Sequence, residues 1–176
     1  MGYATGHPIR LVGGRLALDF VNTADWTAIG AIAHEKLTNI EDLRKWTEAL
    51  TLNVELEADL HGLRSLRGAL RDMLLGRGAP KTLAALNFGH LAEGIDLKQP
   101  QPLKALVSAS AVSILADPRE RARLKMCPGE ACGWLFIDET KNSRRTWCSM
   151  ESCGNRAKAA RHYSRRKRAS SPQKTT

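Results

Sequence analysis

Four cysteines constrain this chain more than any other feature. Cys127, Cys132, Cys148 and Cys153 fall within 27 residues in the spacing C-x4-C-x15-C-x4-C, and no other cysteine occurs among the 176 residues. Two close pairs separated by a loop of this size suit tetrahedral Zn2+, each pair clamping one edge of the tetrahedron. The neighbouring sequence needs such a clamp. Between Arg119 and Arg168 the large apolar residues are chiefly Trp134, Leu135, Phe136, Ile137 and Trp147, too few to fold unaided. A structural zinc site, with apparent binding energies of about 10–16 kcal/mol in finger peptides, closes that gap. The alternatives are an iron–sulfur cluster, whose ferredoxin spacings are not matched, and redox-active thiols, for which no C-x-x-C is present. Four thiolates leave no open coordination position, so the expected ion is one structural Zn2+ per chain.

Charge is as concentrated as cysteine. Residues 1–118 hold 12 Lys and Arg against 13 Asp and Glu, whereas residues 119–176 hold 15 against 5. The whole net charge of +9 therefore sits in the last third, where it attracts polyanions and draws affinity from released counterions. From about Gly154 to Arg168 the pattern is helical, and Lys158, Arg161, Arg165 and Arg168 fall on one face, with Arg166 beside them. Arg144 and Arg145 come from the loop beside the metal, and Arg156 from the first turn after Cys153. Arginine forks onto phosphate and onto guanine O6 and N7 alike. This set is the expected nucleic-acid surface, with duplex DNA the leading target. Arg144, Arg145 and Arg156 are the expected base readers. RNA is the second candidate, although only Tyr163 on the helix is placed to stack on a base, and an acidic protein partner is the third.

The N-terminal region reads as mainly helical. Leu16, Leu18 and Phe20 alternate after Gly13-Gly14, which predicts a short β-hairpin with Ile9–Val12. Thr38-Asn39-Ile40-Glu41 has the form of a capping box, followed by Leu43, Trp46 and Leu50 at helical spacing. A longer helix runs from Leu56 to Leu74 and stops near Gly76; a further one begins at Pro80 with Leu83 and Leu86. Residues 94–102 read as a loop, Leu103 to Leu115 as a buried helix, and Arg119 to Met126 as a basic connector helix. Trp134–Ile137 reads as a strand. The fold class is thus mainly α with a short N-terminal β-hairpin (α+β), followed by a small four-cysteine zinc module with a basic helix. The divisions are 9–116, a helical domain expected to fold alone, then 119–168, the zinc module, and 169–176, a disordered tail.

The residues then become recognisable. Cys148-Ser149-Met150-Glu151-Ser152-Cys153-Gly154-Asn155-Arg156-Ala157-Lys158, with Cys127-Pro128 and Phe136-Ile137-Asp138 upstream, resembles the bacterial CGNR zinc-finger family. Leu16-Ala17-Leu18-Asp19-Phe20-Val21-Asn22-Thr23 is similar to the signature of the ABATE domain that usually precedes that finger. The resemblance implies a stress-induced transcription regulator with a C-terminal DNA-binding finger, in which 9–116 is a regulatory or dimerisation domain and the protein a candidate homodimer.

Asp19, Asn22 and Thr23 are read either as caps that satisfy local backbone groups or as a polar cluster facing a small-molecule effector. Trp26 and Trp46 read as core. His7, His34, His61 and His90 are scattered without metal spacing. No apolar run reaches the roughly 18 residues of a membrane span, and the first residues lack the pattern of a secretory signal. A cytoplasmic, nucleoid-associated protein is expected. No Walker loop, G-x-G-x-x-G or nucleophile elbow occurs, so no enzymatic activity is expected.

Overall fold

The computed structural model describes residues 8–56, 58–77 and 99–169. In chain order the elements are α1 (Leu16–Val21), β1 (Ala24–Trp26), β2 (Ile32–Glu35), α2 (Ile40–Ala49), β3 (Val54–Glu55), α3 (Leu60–Leu74), β4 (Gln101–Pro102), α4 (Leu103–Ala116), α5 (Pro118–Arg123), β5 (Leu124–Met126), β6 (Leu135–Ile137), a π-helical turn (Met150–Gly154) and α6 (Asn155–Ala169). The strands form three two-stranded ladders: β1–β2 and β5–β6 antiparallel, β3–β4 parallel. The expected architecture holds: helices with short strands, and the cysteine module at the C-terminal end. The helix expected from Pro80 lies outside the described residues.

The N-terminal hairpin is present but displaced. Leu16–Val21 is helical, and the hairpin is β1–β2, pairing Ala24 with Glu35 and Asp25 with His34. Leu16-Ala17-Leu18-Asp19-Phe20-Val21 is apolar at nearly every position, so three alternating residues did not distinguish a strand from a helix buried all round. Ala17, Leu18, Phe20 and Val21 are fully buried, and α1 packs against α3, α4 and β6. Gly13 is needed for this packing rather than for a hairpin turn, because a Cβ there would lie 2.7 Å from Leu18 Cβ.

The remaining differences follow from local bonding. The α2 capping box is built one residue later than expected: Asn39 accepts from the Asp42 N–H at 3.0 Å, and the Asp42 carboxylate accepts from Asn39 in return. The connector helix is shorter than its pattern, ending at Arg123, because Leu124–Met126 pairs with Leu135–Ile137 instead. The α3 helix begins at Leu60, capped by Asp59, whose carboxylate accepts from Gly62 N at 2.8 Å.

One core runs through both ends of the chain. Leu18, Phe20, Trp26, Leu70 and Ile114 are buried in the same cluster as Leu135, Phe136, Ile137 and the four cysteines. Polar bonds reinforce that contact. The Asn22 side-chain amide acts as a missing strand, accepting from Leu135 N at 2.9 Å and donating to Leu135 O at 2.8 Å. Trp26 N donates to Cys132 O at 3.0 Å, and Ile137 N donates to Gly13 O at 2.9 Å. Fully buried Arg67 reaches Glu35 and Thr23, while buried Arg71 donates to Gly133 O at 2.7 Å with its guanidinium 4.4 Å from the Trp26 ring centroid.

Gly133 shows how closely the two ends approach. It has φ +55°, and a Cβ there would stand 2.9 Å from Trp26 Cβ and 3.0 Å from Trp26 O. Gly133→Ala combines left-handed strain with overpacking, an expected loss of about 2–4 kcal/mol. Denaturant unfolding checks it, and unchanged stability would mean that this loop does not seat on Trp26.

Candidate metal centre and nucleic-acid interface

The β5–β6 hairpin supplies the first cysteine pair. Cys127 follows β5 and its N–H donates to Trp134 O at 2.7 Å; Cys132 N donates to Gly129 O at 3.1 Å, turning the loop back on itself. Ala131 and Gly133 both take positive φ, of 48° and 55°, so the backbone wraps tightly around its own sulfurs. In the second pair Cys148 precedes the π-helical turn and Cys153 lies within it, where Gly154 N donates to Ser149 O at 3.1 Å.

The four Sγ atoms lie within 4.8 Å of one another, and all four residues are buried. Cys132–Cys148 and Cys148–Cys153 are each 3.6 Å apart, far beyond a disulfide's ~2.05 Å. A tetrahedron with Zn–S of about 2.3 Å has edges of about 3.8 Å, so the donor set fits zinc. Charge makes the same point. Hydrogen bonds from Cys132 and Cys148 drive the Cys127 thiol down, while the bond to Cys127 pushes both Cys132 and Cys148 up. Thiols this close oppose one another's ionisation, and a divalent cation removes that opposition by binding all four as thiolates. The cysteines are a structural site for one zinc ion.

Behind the metal, Asp138 organises the loop that joins the two pairs. It is fully buried, which works against its charge, yet Lys125 Nζ at 2.6 Å, Thr140 and the Arg145 N–H at 2.8 Å hold the carboxyl below its usual range. Its only sequence signal was its place after Phe136-Ile137.

The sequence-predicted basic residues divide in the structure. Arg145 is spent on the fold: its guanidinium donates to Trp147 O at 3.1 Å, Val12 O at 3.0 Å and Cys148 O, and lies 4.4 Å from the Phe136 ring centroid. Those backbone acceptors, rather than solvent, take the donors of Arg145 in this structure. Arg156 donates from Nη2 to Cys153 Sγ at 3.0 Å, which raises its own pKa. Arg144, Lys158, Arg161, Arg165 and Arg166 are exposed, and the helix backbone carries Arg168 near its end. The α6 helix packs against the π-helical turn and otherwise projects from the body, with seven Lys and Arg and no acidic residue between Asn155 and Ala169.

Asp19, Asn22 and Thr23 are brought together but face inward. Asp19 accepts from Gly13 N at 2.8 Å, Asn22 bridges Leu135, and Thr23 donates to Phe20 O at 2.7 Å. Burial pushes the Asp19 carboxyl up from 3.8 to about 6, the N–H groups of Gly13 and Val12 pulling it partly back. A native carboxyl with a raised pKa holds its proton longer than the unfolded chain does, so its stability contribution is full at low pH and is lost as pH rises through about 6. Between pH 5 and 7.5 that loss is about 1 kcal/mol. Asp19→Asn keeps an acceptor for Gly13 and should remove this slope. Denaturation of both proteins across that window tests it, and identical slopes would clear Asp19.

Comparison with known families agrees with this arrangement. Residues 14–124 match the ABATE family model, described as "Putative stress-induced transcription regulator". The chain belongs to the ABATE family. Residues 123–166 match the CGNR zinc finger, a span that includes all four cysteines and most of α6. No curated protein matches this ABATE chain. Among the described residues no helix is long and apolar enough to cross a membrane.

Proposed function

We propose that this ABATE protein is a zinc-dependent transcriptional regulator that binds duplex DNA through α6, responds to stress, acts at the bacterial nucleoid, and is not an enzyme. The observation that carries this reading is the projection of α6: an exposed helix with seven cations and no acid, rooted on a rigid metal knuckle. Self-repulsion along such a face is relieved by a polyanion, and phosphates at groove spacing supply one. Lys158, Arg161, Arg165 and Arg166 follow the phosphates. Arg144 beside the metal is the candidate base reader, and Arg156 a second one only by exchanging Cys153 Sγ for a base. Residues 9–116 form the regulatory part and 119–168 the binding part, with a homodimer the arrangement that would read a palindromic site.

Competition among duplex DNA, single-stranded RNA and heparin for the zinc-loaded chain tests this across a salt series. Duplex is expected to win at equal charge concentration, and one duplex sequence to outlast others as salt rises. Preference for RNA would make the finger an RNA module. Indifference among the three would make α6 a general polyanion or acidic-protein binder.

A further inference from the structure

The loop that joins the two cysteine pairs is pinned from beneath. The buried Asp138 carboxylate accepts from Thr140 N at 3.0 Å, from Thr140 Oγ1 at 2.5 Å and from Arg145 N at 2.8 Å. Lys125 Nζ donates to Ser143 O at 2.5 Å and to Arg145 O at 3.2 Å. Ser143 takes φ +48°, a left-handed conformation that is costly for a residue with a Cβ and persists where surrounding bonds hold it. Lys141 and Arg144 stand on this loop, both exposed, and among the described residues neither side chain has a hydrogen-bond or ion-pair partner.

Between the loop and the π-helical turn runs an open cleft of about 840 Å³. Lys141, Asn142 and Arg144 line it from the loop, while Trp147 and Met150 give it apolar surface. Met150 is 65 % exposed. Gly154, the last residue of the turn, leaves room for both apolar side chains: a Cβ there would stand 2.8 Å from Met150 Sδ and 3.4 Å from Trp147 Cδ1. The turn leads directly into α6, so the cleft adjoins the root of the basic helix. Its negative groups are Glu151, exposed, and the zinc ligand Cys148. Four thiolates around Zn2+ leave two negative charges in excess. The guanidinium of Arg145 at Cys148 O and that of Arg156 at Cys153 Sγ stand against them. Lys141 and Arg144 are then opposed by Glu151 alone.

Free cations on a pinned loop, beside an apolar surface, match a sugar–phosphate strand, which alternates charged phosphates with apolar deoxyribose faces. A loop already held in place spares the cost of ordering it on binding. We propose that one strand of duplex DNA lies in this cleft, with a phosphate on Lys141 and a deoxyribose against Met150 and Trp147, while the same duplex continues along α6. The cleft contact rests on the DNA-binding reading of α6 and gives it a second surface. Contacts to phosphate and sugar carry no sequence information directly, so this strand contact positions the duplex and leaves base reading to Arg144 on the same loop.

The test measures duplex affinity of the zinc-loaded full chain across a salt series, on one duplex of mixed sequence and one of alternating A·T pairs, with zinc content checked in each variant. Lys141→Ala is expected to lower the slope of log K against log salt by about 0.9 on both duplexes. Met150→Ala is expected to weaken binding about 5-fold on both at an unchanged slope, because an apolar contact releases no counterions. Glu151→Gln should tighten binding. Lys45→Ala, which removes a partly exposed cation of α2 outside the cleft, should change nothing and controls for net charge. A slope unchanged by Lys141→Ala, an equal fall in Lys45→Ala, full affinity in Met150→Ala or weaker binding in Glu151→Gln would overturn the cleft contact and leave α6 as the binding helix. A wild-type chain that binds neither duplex would overturn the DNA-binding reading itself, and the cleft contact with it.

Discussion

Removing the zinc, or replacing Cys148 by Ser, is expected to unfold more than the C-terminal module. The metal supplies most of what orders residues 124–154, on the order of 10 kcal/mol by analogy with finger peptides. Without it β6 loses its frame, and with β6 go the partners of Asn22, Arg71 and Trp26. The faces of α1 that β6 covers would then be exposed to water, at about 25 cal/mol for each Å² of apolar surface. A fragment of residues 9–116, expected from charge and pattern to fold alone, would start from that same exposed state. Chelator titration followed by the indole signals of Trp26 and Trp46 separates the cases. Simultaneous loss of both N-terminal signals with zinc is the expected outcome. Native N-terminal signals in a metal-free chain would show that the shared core is not a shared folding unit.

Arg67→Met carries the next largest effect. The Arg67 side chain is fully buried; Nη1 donates to Glu35 Oε1 at 2.7 Å and to Thr23 Oγ1 at 3.1 Å, and Nη2 donates to the other Glu35 oxygen. Taking away one partner leaves a half-buried carboxylate facing an apolar side chain, an expected loss of about 3–5 kcal/mol. Glu35 would remain bonded to the N–H groups of Lys36 and Leu37, so its neutral amide keeps those acceptor bonds. Adding Glu35→Gln to Arg67→Met should therefore recover part of the loss, and a denaturant-unfolding cycle measures how much. Strict additivity of the two substitutions would mean that the ion pair is not what holds α3 to β2.

The metal site was legible because its chemistry is local: spacing alone determines which thiols can meet around one ion. The basic helix was legible for the same reason, since cations at three- and four-residue intervals share a face wherever the helix sits. Individual arginine roles were not. Arg144 and Arg145 are adjacent in the sequence, yet Arg145 turns inward because Ile137, Trp147, Cys148 and Val12 present carbonyls to it. Val12 is 133 residues away along the chain. The displaced hairpin has a similar origin. Whether Leu16–Val21 coils or extends depends on α3, α4 and β6 covering it from several sides, and no window of sequence contains those partners. Asn22 likewise reads as a turn residue until Leu135 is placed opposite it.

The most direct test of a DNA-binding α6 is the salt dependence of duplex affinity in the zinc-loaded chain, compared with an Arg161→Ala/Arg165→Ala double variant. Every phosphate that the protein no longer neutralises lowers the slope of log K against log salt by about 0.9. A steep slope is expected for the wild type and a slope shallower by about two units for the variant, with unchanged zinc content and unfolding midpoint in both. Duplex affinity and slope that stay the same when both exposed arginines are removed would contradict a DNA-binding α6.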